Sequence, residues 1–537
     1  MNDLNLVPAP STVTEHHGYT AVPDAFGVES FVPVSDWLLR SLEDWLDARI
    51  QHVPGKGNGT DKGKAAVEAW LRITEDAALA TGAYKLGINP TGITISAAGV
   101  EGVINAAQTL RQLVGTRGFA PAPVRGSGVE LPNVSIEDAP SFAFRGVHLD
   151  VSRHFIPRDE LLRFIDLAAA HKLNALHLHL TDDQGWRMEI PAFPLLAEVS
   201  SWRSDTMEVY TEDARFMKGR PHGGCYSLDD LREAVAYAKD RGVVIIPEID
   251  LPGHSVAAIA AYPKLGVGAP SVDVWTGWGV NDCILDPSDY TLDFFRTVLD
   301  TVMDVFDAPI IHIGGDEVPY ERWHASDSVK RRAADLGLGS VELLHGWFLG
   351  RLAAHVESRG RRAGVWHEAV SSTLPKTAVV NAWGGLDTVV QSLAAGYDTT
   401  ISCCSHLYLD YRENDDPREP SGCSPLLSTE KLYNFEPLER RVLSTAKHTG
   451  AAITGIQAQI WTEYLDTREI RDYNTYPRLS AFAELAWSKD RDYADFVERL
   501  EDGHLDRLTA AGVDFRPLDG PHAWQERPDI AAKAGRS

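Results

Sequence analysis

Short apolar runs alternate with longer amphipathic segments from about residue 144 to the C-terminal region. Eight of these apolar runs predict buried parallel strands. The predicted strands cover residues 145–149, 175–180, 243–249, 309–313, 363–366, 379–383, 399–403 and 454–460. Helices are predicted between them at 159–170, 228–241, 291–306, 341–358 and 478–486. Repeated βα units of this number predict a closed (β/α)8 TIM barrel over residues 138–500.

A smaller α/β domain is predicted before the barrel, over residues 1–137. A helix over 37–50 and a second over 100–114 have amphipathic periods, and short strands are predicted at 84–88 and 92–96. A Gly/Lys-rich loop, PGKGNGTDKGK, follows the first helix. The segment 121–140 is rich in Pro and Gly without a helical period, so it predicts the domain boundary. Residues 501–537 are expected to hold the end of a helix and a polar tail.

Composition and charge argue against two classes of binding partner. The 537 residues carry a formal net charge of −25, which disfavours nucleic acid and anionic membrane surfaces. No apolar run reaches the length of a membrane span, and no signal segment is visible at the N-terminus. The protein is therefore expected to be cytoplasmic as given, or secreted if a signal has been removed. The five cysteines have no metal-ligand spacing.

Candidate chemistry is concentrated at the predicted end of the fourth barrel strand. The stretch PIIHIGGDEVPY, residues 309–320, delivers adjacent carboxylates at Asp316 and Glu317 after an apolar run. The paired glycines before them are expected to leave room for a bulky ligand. In a barrel of this kind, residues just past the strands form the active-site face.

Other strand ends supply aromatic and charged side chains. They are Arg153, Asp182, His254, Trp366, Trp383, Tyr408, Asp410, Trp461 and Glu463. Aromatic rings stack on the C–H faces of a pyranose, while charged groups bind its hydroxyls. The set therefore favours a sugar-binding site.

Several motifs together resemble those of glycoside hydrolase family 20, the β-N-acetylhexosaminidases. The motifs are HIGGDE (312–317), DVSRHF (150–155), HLHLTDDQGWR (177–187), PEIDLPGH (247–254), WTE (461–463) and YPRLSAFAELAWS (476–488). The separation of seventeen positions between Trp366 and Trp383 is similar to that of the family's paired tryptophans. The likeness covers about 140–500, and the small preceding domain is similar to the one that usually precedes the family's barrel.

The resemblance implies a glycosidase that needs no cofactor and no metal. The crowded set of Arg153, Asp410 and Glu463 suggests a closed pocket for one terminal sugar, which favours exo-action. Its substrate would be an N-acetylhexosamine-terminated oligosaccharide or glycoconjugate. The substrate's own acetamido oxygen would attack C1 with overall retention, forming an oxazolinium intermediate. Glu317 would be the general acid, with a pKa near the working pH, and Asp316 would offset the charge on the oxazolinium.

The remaining roles also follow from the resemblance. Tyr408 would hold the acetamido carbonyl, and Trp366, Trp383 and Trp461 would enclose the sugar. Arg153, Asp410 and Glu463 would bind hydroxyls. Asp182 would orient Arg153, and His254, backed by Asp250, would tune the pKa of Glu317. The segment 411–433 has no clear counterpart, and a homodimer is left open.

Three alternatives stay open at this point. A metal-dependent amidohydrolase is favoured by His177 and His179 on one strand face, with Asp182, His254 and Asp316 nearby. In the glycosidase interpretation these two histidines are hydrogen-bonded core residues. A catalytically inactive sugar-binding protein is the second alternative, and a lacto-N-biosidase-like or endo-acting enzyme of the same family is the third.

Overall fold

A computed structural model describes residues 4–54, 69–210, 215–423 and 425–526. The predicted Gly/Lys-rich loop from residue 55 onward and the last part of the polar tail lie outside the described residues. None of the described helices is long and apolar enough to cross a membrane.

Eight parallel strands close into a barrel, which confirms the predicted (β/α)8 architecture. In chain order they are Phe144–Asp150, Ala175–His179, Val244–Glu248, Ile310–His312, Arg362–Trp366, Val379–Ala382, Asp398–Ile401 and Ile453–Ala458. The last strand pairs with the first, so the barrel leaves no open edge. The carboxyl ends of all eight strands therefore face one side of the molecule.

Helices follow the strands and pack around them. The longer ones are Arg158–Ala170, Leu228–Asp240, Asp289–Val305, Leu343–Ser358, Leu386–Ala394, Arg440–Thr449 and Arg478–Trp487. The helix Leu228–Asp240 shows how the sequence encodes them. A capping box between Ser227 and Asp230 starts it, and Leu231, Ala234 and Ala238 bury one face against the barrel.

Shorter elements fill the connections. The short helices are Leu195–Glu198, Val256–Ala261, Glu321–Ala325, Asp327–Asp335, Cys404–Leu407, Thr429–Tyr433, Arg468–Thr475, Tyr493–Arg499 and Leu505–Ala510. A π-helical turn, Leu500–His504, joins the last two. Paired short strands lie in the long connection after the second barrel strand: Thr181–Asp182 with Gly185–Trp186, Trp202–Arg203 with His222–Gly223, and Met207–Tyr210 with Arg215–Met217.

In the described residues, the N-terminal domain has a seven-stranded mixed sheet and two α-helices, Asp36–Leu46 and Val100–Leu113. Its strands, in spatial order, are Thr12–Ala21, Glu130–Asp138, Tyr84–Asn89, Gly92–Ala97, Ala69–Glu75, Ala25–Ser30 and Arg49–Pro54. The interpretation of residues 121–140 as a boundary segment was wrong for its second half. Glu130–Asp138 is an internal strand, because its Leu131, Val134 and Ile136 side chains belong to the core of this domain.

This domain packs at the amino-terminal end of the barrel strands. Asp138 accepts hydrogen bonds from Lys172 Nζ and Trp487 Nε1, both at 2.9 Å. Arg145, near the start of the first barrel strand, pairs with Glu101 at 3.1 Å. The domain therefore braces the face opposite the strand tips, where a barrel is expected to carry stability and not chemistry.

Candidate active site

The loop after the fourth barrel strand has an unusual backbone. Gly314 and Gly315 have φ of 66° and 101°, and Glu317 has φ of 46°. A Cβ on Gly314 would lie 1.6 Å from Asp250 Oδ1, and one on Gly315 would lie 2.7 Å from Leu349 Cδ1. The glycines therefore allow the loop to pack closely against Asp250 and the helix Leu343–Ser358. The expectation that they make room for a ligand was wrong. The left-handed conformation of Glu317 is typical of strain held at functional sites.

A cavity of about 190 Å³ opens at the carboxyl ends of the strands. It is lined by Arg153, Asp316, Glu317, Trp383, Tyr408, Asp410, Tyr411, Cys423, Trp461 and Glu463. Eight of these ten residues were named from the sequence, although they are spread over more than three hundred positions. The barrel brings them together because each follows a strand end.

Three further residues from the sequence analysis lie behind the cavity wall. Asp182 and His254 are buried, and both are connected to lining residues. Trp366 has no exposed surface, and its indole N–H donates to Glu248 Oε1 at 2.7 Å. The centroid of its ring lies 6.2 Å from that of Trp461. Trp366 thus supports a ring of the cavity and does not itself line it.

His254 connects Glu317 to two buried carboxylates. Its Nε2 lies 3.4 Å from Glu317 Oε2, and its Nδ1 lies 3.1 Å from Asp182 Oδ1 and 3.5 Å from Asp183 Oδ2. Asp182 and Asp183 therefore back this histidine, and the expectation that Asp250 does so was wrong. Burial disfavours the imidazolium, but the three carboxylates outweigh it and hold the pKa of His254 well above its usual range.

The pKa of Glu317 departs from the expectation. The hydrogen bond from His254 lowers this pKa below its usual value, whereas a value near the working pH was expected. The Glu317 side chain is 44% exposed, so burial does not offset the effect of the cation.

Asp316 has the opposite electrostatic environment. Burial, with the negative charges of Glu368, Glu248 and Glu317, raises its pKa to about 7, although His254 acts in the other direction. Its Oδ1 is buried without a hydrogen-bond partner among the described residues. A buried oxygen of this kind, in a cavity wall, is available to accept a hydrogen bond from a ligand.

Asp250 lies directly beneath the acid pair. Its Oδ1 accepts a hydrogen bond from the backbone N–H of Gly315 at 3.1 Å. Burial and the charge of Asp316 raise its pKa well above its ordinary value. Asp250 therefore anchors the loop that carries Asp316 and Glu317.

Arg153 is fixed on one side of the cavity. Its Nη2 lies 2.8 Å from Asp182 Oδ2, its Nε donates to Gln184 at 3.1 Å, and its Nη1 lies 4.0 Å from Glu463 Oε1. The guanidinium also lies 4.9 Å from the centroid of the Trp461 ring. Arg153 is thus held as a rigid donor towards the cavity.

Asp410 faces the same part of the cavity. Burial and the charge of Glu463 raise the pKa of Asp410 to about 8. Its Oδ1 has no hydrogen-bond partner in the described parts of the chain. With Arg153 and Glu463 beside it, this wall offers both donors and acceptors to vicinal hydroxyl groups.

Some site residues were not identified from the sequence. Tyr411 and Cys423 line the cavity from the segment 411–433, which has no periodic pattern that predicts its path. Glu368 accepts from Trp383 Nε1 at 2.9 Å and so fixes that ring. Asp183 pairs with His254, and its position next to Asp182 was the one available signal.

The barrel interior below the cavity contains a cluster of histidines around Glu248. His148, His177, His179, His312 and Glu248 are all buried, and subsets of them are close enough to hold a metal ion. His179 Nδ1 and Glu248 Oε2 are 2.6 Å apart, which is a hydrogen-bond distance. Two ligands at about 2.0–2.1 Å from a tetrahedral zinc would be about 3.3 Å apart. The spacing of this pair favours a hydrogen-bonded core cluster.

Two domains of one known family match almost the whole described chain. Residues 142–490 match the catalytic domain of glycosyl hydrolase family 20, and residues 3–139 match the domain described as domain 2 of the same family.

Individual proteins are also similar. A beta-hexosaminidase from Porphyromonas gingivalis is 32% identical over 525 residues, covering 95% of this chain, and the chain spans 64% of that relative's length. A beta-hexosaminidase from Akkermansia muciniphila is 32% identical over 82% of this chain and 87% of its own. The crystal structure of an exo beta-N-acetylglucosaminidase from Vibrio harveyi, in complex with N-acetylglucosamine, superposes with a TM-score of 0.82 at 30% identity. It covers 96% of this chain and 79% of that one.

Proposed function

The chain belongs to glycosyl hydrolase family 20, and from that premise we propose that it is an exo-acting β-N-acetylhexosaminidase. It removes terminal β-linked N-acetylglucosamine and N-acetylgalactosamine from oligosaccharides or glycoconjugates. The names of its relatives and the N-acetylglucosamine bound in the Vibrio harveyi structure support this substrate class.

The observation that carries the proposal is the small cavity with adjacent acids in its wall. Its volume of about 190 Å³ is below the roughly 300–1,000 Å³ common for ligand pockets, so it suits one sugar residue. Asp410, Glu463 and Arg153 occupy one wall, where the hydroxyl groups of a terminal sugar would bind. A chain that continued through this wall would have to displace these charged groups, which favours exo-action over endo-action.

The acid pair supports substrate-assisted catalysis. A retaining glycosidase with a protein nucleophile places two carboxyl groups about 5 Å apart, on either side of the bond. Asp316 and Glu317 are neighbours on one loop and cannot easily flank the anomeric carbon. The acetamido oxygen of the substrate then attacks C1, and its intramolecular position gives an effective molarity of about 10⁵ M or more. The product retains the β configuration.

Glu317 is the general acid in this scheme. A bound sugar covers its half-exposed carboxyl group, and this loss of solvent raises the low pKa that the free protein gives it. The proton passes to the glycosidic oxygen, and Glu317 then activates the water that opens the oxazolinium ion.

Asp316 accepts a hydrogen bond from the acetamido N–H and offsets the positive charge of the oxazolinium ion. The unpartnered Oδ1 in the cavity wall supports this role. Its elevated pKa falls as positive charge develops beside it, so the ionised form is favoured when it is needed.

The remaining lining residues orient the sugar. Tyr408 holds the acetamido carbonyl in line for attack. Trp383 and Trp461 enclose the acetamido methyl and the sugar ring, and Trp366 packs next to Trp461. The hydroxyls are bound by the wall that contains Arg153.

Product analysis on a chitooligosaccharide labelled at its reducing end tests the proposal. Release of single N-acetylglucosamine residues from the non-reducing end is expected. Release of disaccharides would favour the lacto-N-biosidase-like alternative, and internal cleavage would favour endo-action. Activity that survives exhaustive chelation rejects the amidohydrolase alternative, and loss of activity restored by a divalent metal would support it.

A further inference from the structure

Glu248 is a buried charged residue that the proposed mechanism does not use. It ends the third barrel strand and has no exposed surface. It lies in register with His179 on one neighbouring strand and with His312 on the other. Burying an ionised carboxylate costs free energy unless nearby groups stabilise the charge. The contacts of Glu248 therefore show what stabilises it.

His179 connects Glu248 to the cavity wall. Its Nδ1 lies 2.6 Å from Glu248 Oε2, and its Nε2 lies 2.9 Å from Asp182 Oδ2. A ring with a carboxylate oxygen at each nitrogen donates from both, and is therefore an imidazolium. Burial opposes this charge, but the two carboxylates hold the pKa of His179 well above its usual range.

Asp182 also contacts two residues of the active site. The same carboxylate lies 2.8 Å from Arg153 Nη2 and 3.1 Å from His254 Nδ1. A continuous series of charged contacts thus runs from Glu248 through His179 and Asp182 to Arg153, and through His254 to the general acid.

A second branch starts at the other oxygen of Glu248. Trp366 Nε1 donates to Oε1 at 2.7 Å, and the centroid of the Trp366 ring lies 6.2 Å from that of Trp461, which lines the cavity. One carboxylate therefore contacts both the polar and the aromatic supports of the site.

We propose that Glu248 is a positioning residue for the terminal sugar. It fixes His179 and Trp366, and through them it fixes Arg153 and Trp461. This inference rests on the proposed function, because the groups it positions are those that would hold the sugar. A displacement of about 1 Å in such groups can reduce the rate about 10²-fold.

The test is Glu248→Gln, which keeps the size of the side chain and removes its charge. With p-nitrophenyl N-acetyl-β-glucosaminide, kcat/KM is expected to fall about 10²-fold, with a higher KM because Arg153 is displaced. Glu484→Gln is the matched control. Glu484 is also buried, and it pairs with Arg499 at 2.6 Å on an outer helix. This control should lose stability but keep kcat and KM per folded molecule.

A double-mutant cycle separates positioning from general destabilisation. In an Arg153→Lys background, Glu248→Gln should cost less than about tenfold, because one of the two groups it positions is already altered. A full, additive loss in that background would contradict the inference.

A second pair of variants covers the case in which Glu248→Gln does not fold. His179→Gln and Trp366→Phe then test the two branches, and each is expected to raise KM. Native kcat and KM in both would overturn the proposal.

The activities of wild type and Glu248→Gln together distinguish a wrong positioning role from a wrong function. An active wild type with an unaltered Glu248→Gln variant rejects the positioning role alone. A wild type without turnover rejects the function, and calorimetric binding of N-acetylglucosamine-thiazoline then tests Glu248 separately. Equal Kd values for wild type and variant would reject the positioning role.

Discussion

His254 Nε2 lies 3.4 Å from Oε2 of Glu317, while the other nitrogen of the same ring contacts Asp182 at 3.1 Å. The histidine thus places a buried positive charge against the acid pair. It lowers the pKa of Glu317 and also opposes the factors that raise the pKa of Asp316 to about 7.

This arrangement gives the free enzyme an unusual distribution of protons. The productive state has Asp316 ionised and Glu317 protonated, yet Asp316 has the higher pKa of the two. The fraction of enzyme in the productive state is therefore small and constant between the two pKa values. It decreases at pH values below the lower pKa and above the higher one. The kcat/KM profile should have its basic limb near pH 7, set by Asp316. A profile that rises steadily through pH 7 would contradict this assignment.

His254→Asn should shift both limbs of that profile to higher pH. Loss of the cation raises the pKa of Glu317 and of Asp316 together. The measurement is kcat/KM against pH for wild type and variant. His324→Asn, an exposed surface histidine, is the control and should leave the profile in place. A shift to lower pH, or none, would remove His254 from the electrostatics of the site.

Glu317→Gln should reduce turnover according to the leaving group. Loss of acid catalysis costs about 10²- to 10⁴-fold on chitobiose, whose leaving group needs a proton. The loss should be much smaller for a dinitrophenyl glycoside, which leaves without protonation. The measurement is the loss of kcat/KM for each substrate, because kcat/KM reports the first chemical step and not the later activation of water by Glu317. Equal losses on both would show that Glu317 is not the acid.

Asp316→Asn should impair the first chemical step even with a good leaving group. The amide keeps the shape of the side chain but cannot offset the charge of the oxazolinium ion. We expect a loss of about 10²- to 10³-fold in kcat/KM for a dinitrophenyl glycoside, as for removal of one electrostatic stabiliser. An unchanged rate would refute the charge-stabilising role.

The barrel was predictable because its strands are short, apolar and separated by amphipathic helices. Cavity-lining residues such as Trp461 and Glu463 were predictable because they directly follow strands. The N-terminal sheet was predicted only in part. Most positions of the strand Thr12–Ala21 are exposed, so it has no hydrophobic alternation to identify it.

The contacts of individual side chains were not predictable from the pattern. The family resemblance suggested that Asp250 backs His254, but the left-handed backbone of His254, with φ of 47°, accompanies contacts to Asp182 and Asp183. The cavity residues Tyr411 and Cys423 come from an irregular connection, whose course depends on tertiary contacts such as Arg478 with the carbonyl of Tyr411. Long-range contacts of this kind have no local signal.

A buried histidine pair should make the protein sensitive to acid. His171 Nε2 lies 3.2 Å from His504 Nε2, and burial lowers the pKa of His171 to about 4. The unfolded chain binds a proton here near pH 6.5, so stability is present above that pH and is lost as the pH falls towards 4. This contribution is at most about 3 kcal/mol, at 1.36 kcal/mol per pKa unit.

His171→Gln should therefore weaken the dependence of stability on pH. Urea unfolding at pH 7 and pH 5 measures the difference in free energy for each protein. The difference should be smaller in the variant than in wild type, whatever the variant's stability at pH 7. His448→Gln, at an exposed helical position, should retain the wild-type difference. An unchanged difference in His171→Gln would show that the pair does not titrate in this range.

The most direct test of the account compares two substrates that differ only at C2, p-nitrophenyl 2-acetamido-2-deoxy-β-glucoside and p-nitrophenyl β-glucoside. If the acetamido oxygen is the nucleophile, kcat/KM should be larger for the first substrate by about 10⁵-fold or more, the effective molarity of an intramolecular nucleophile. Comparable hydrolysis of the plain glucoside, or a glycosyl ester trapped on a protein carboxylate, would contradict the account.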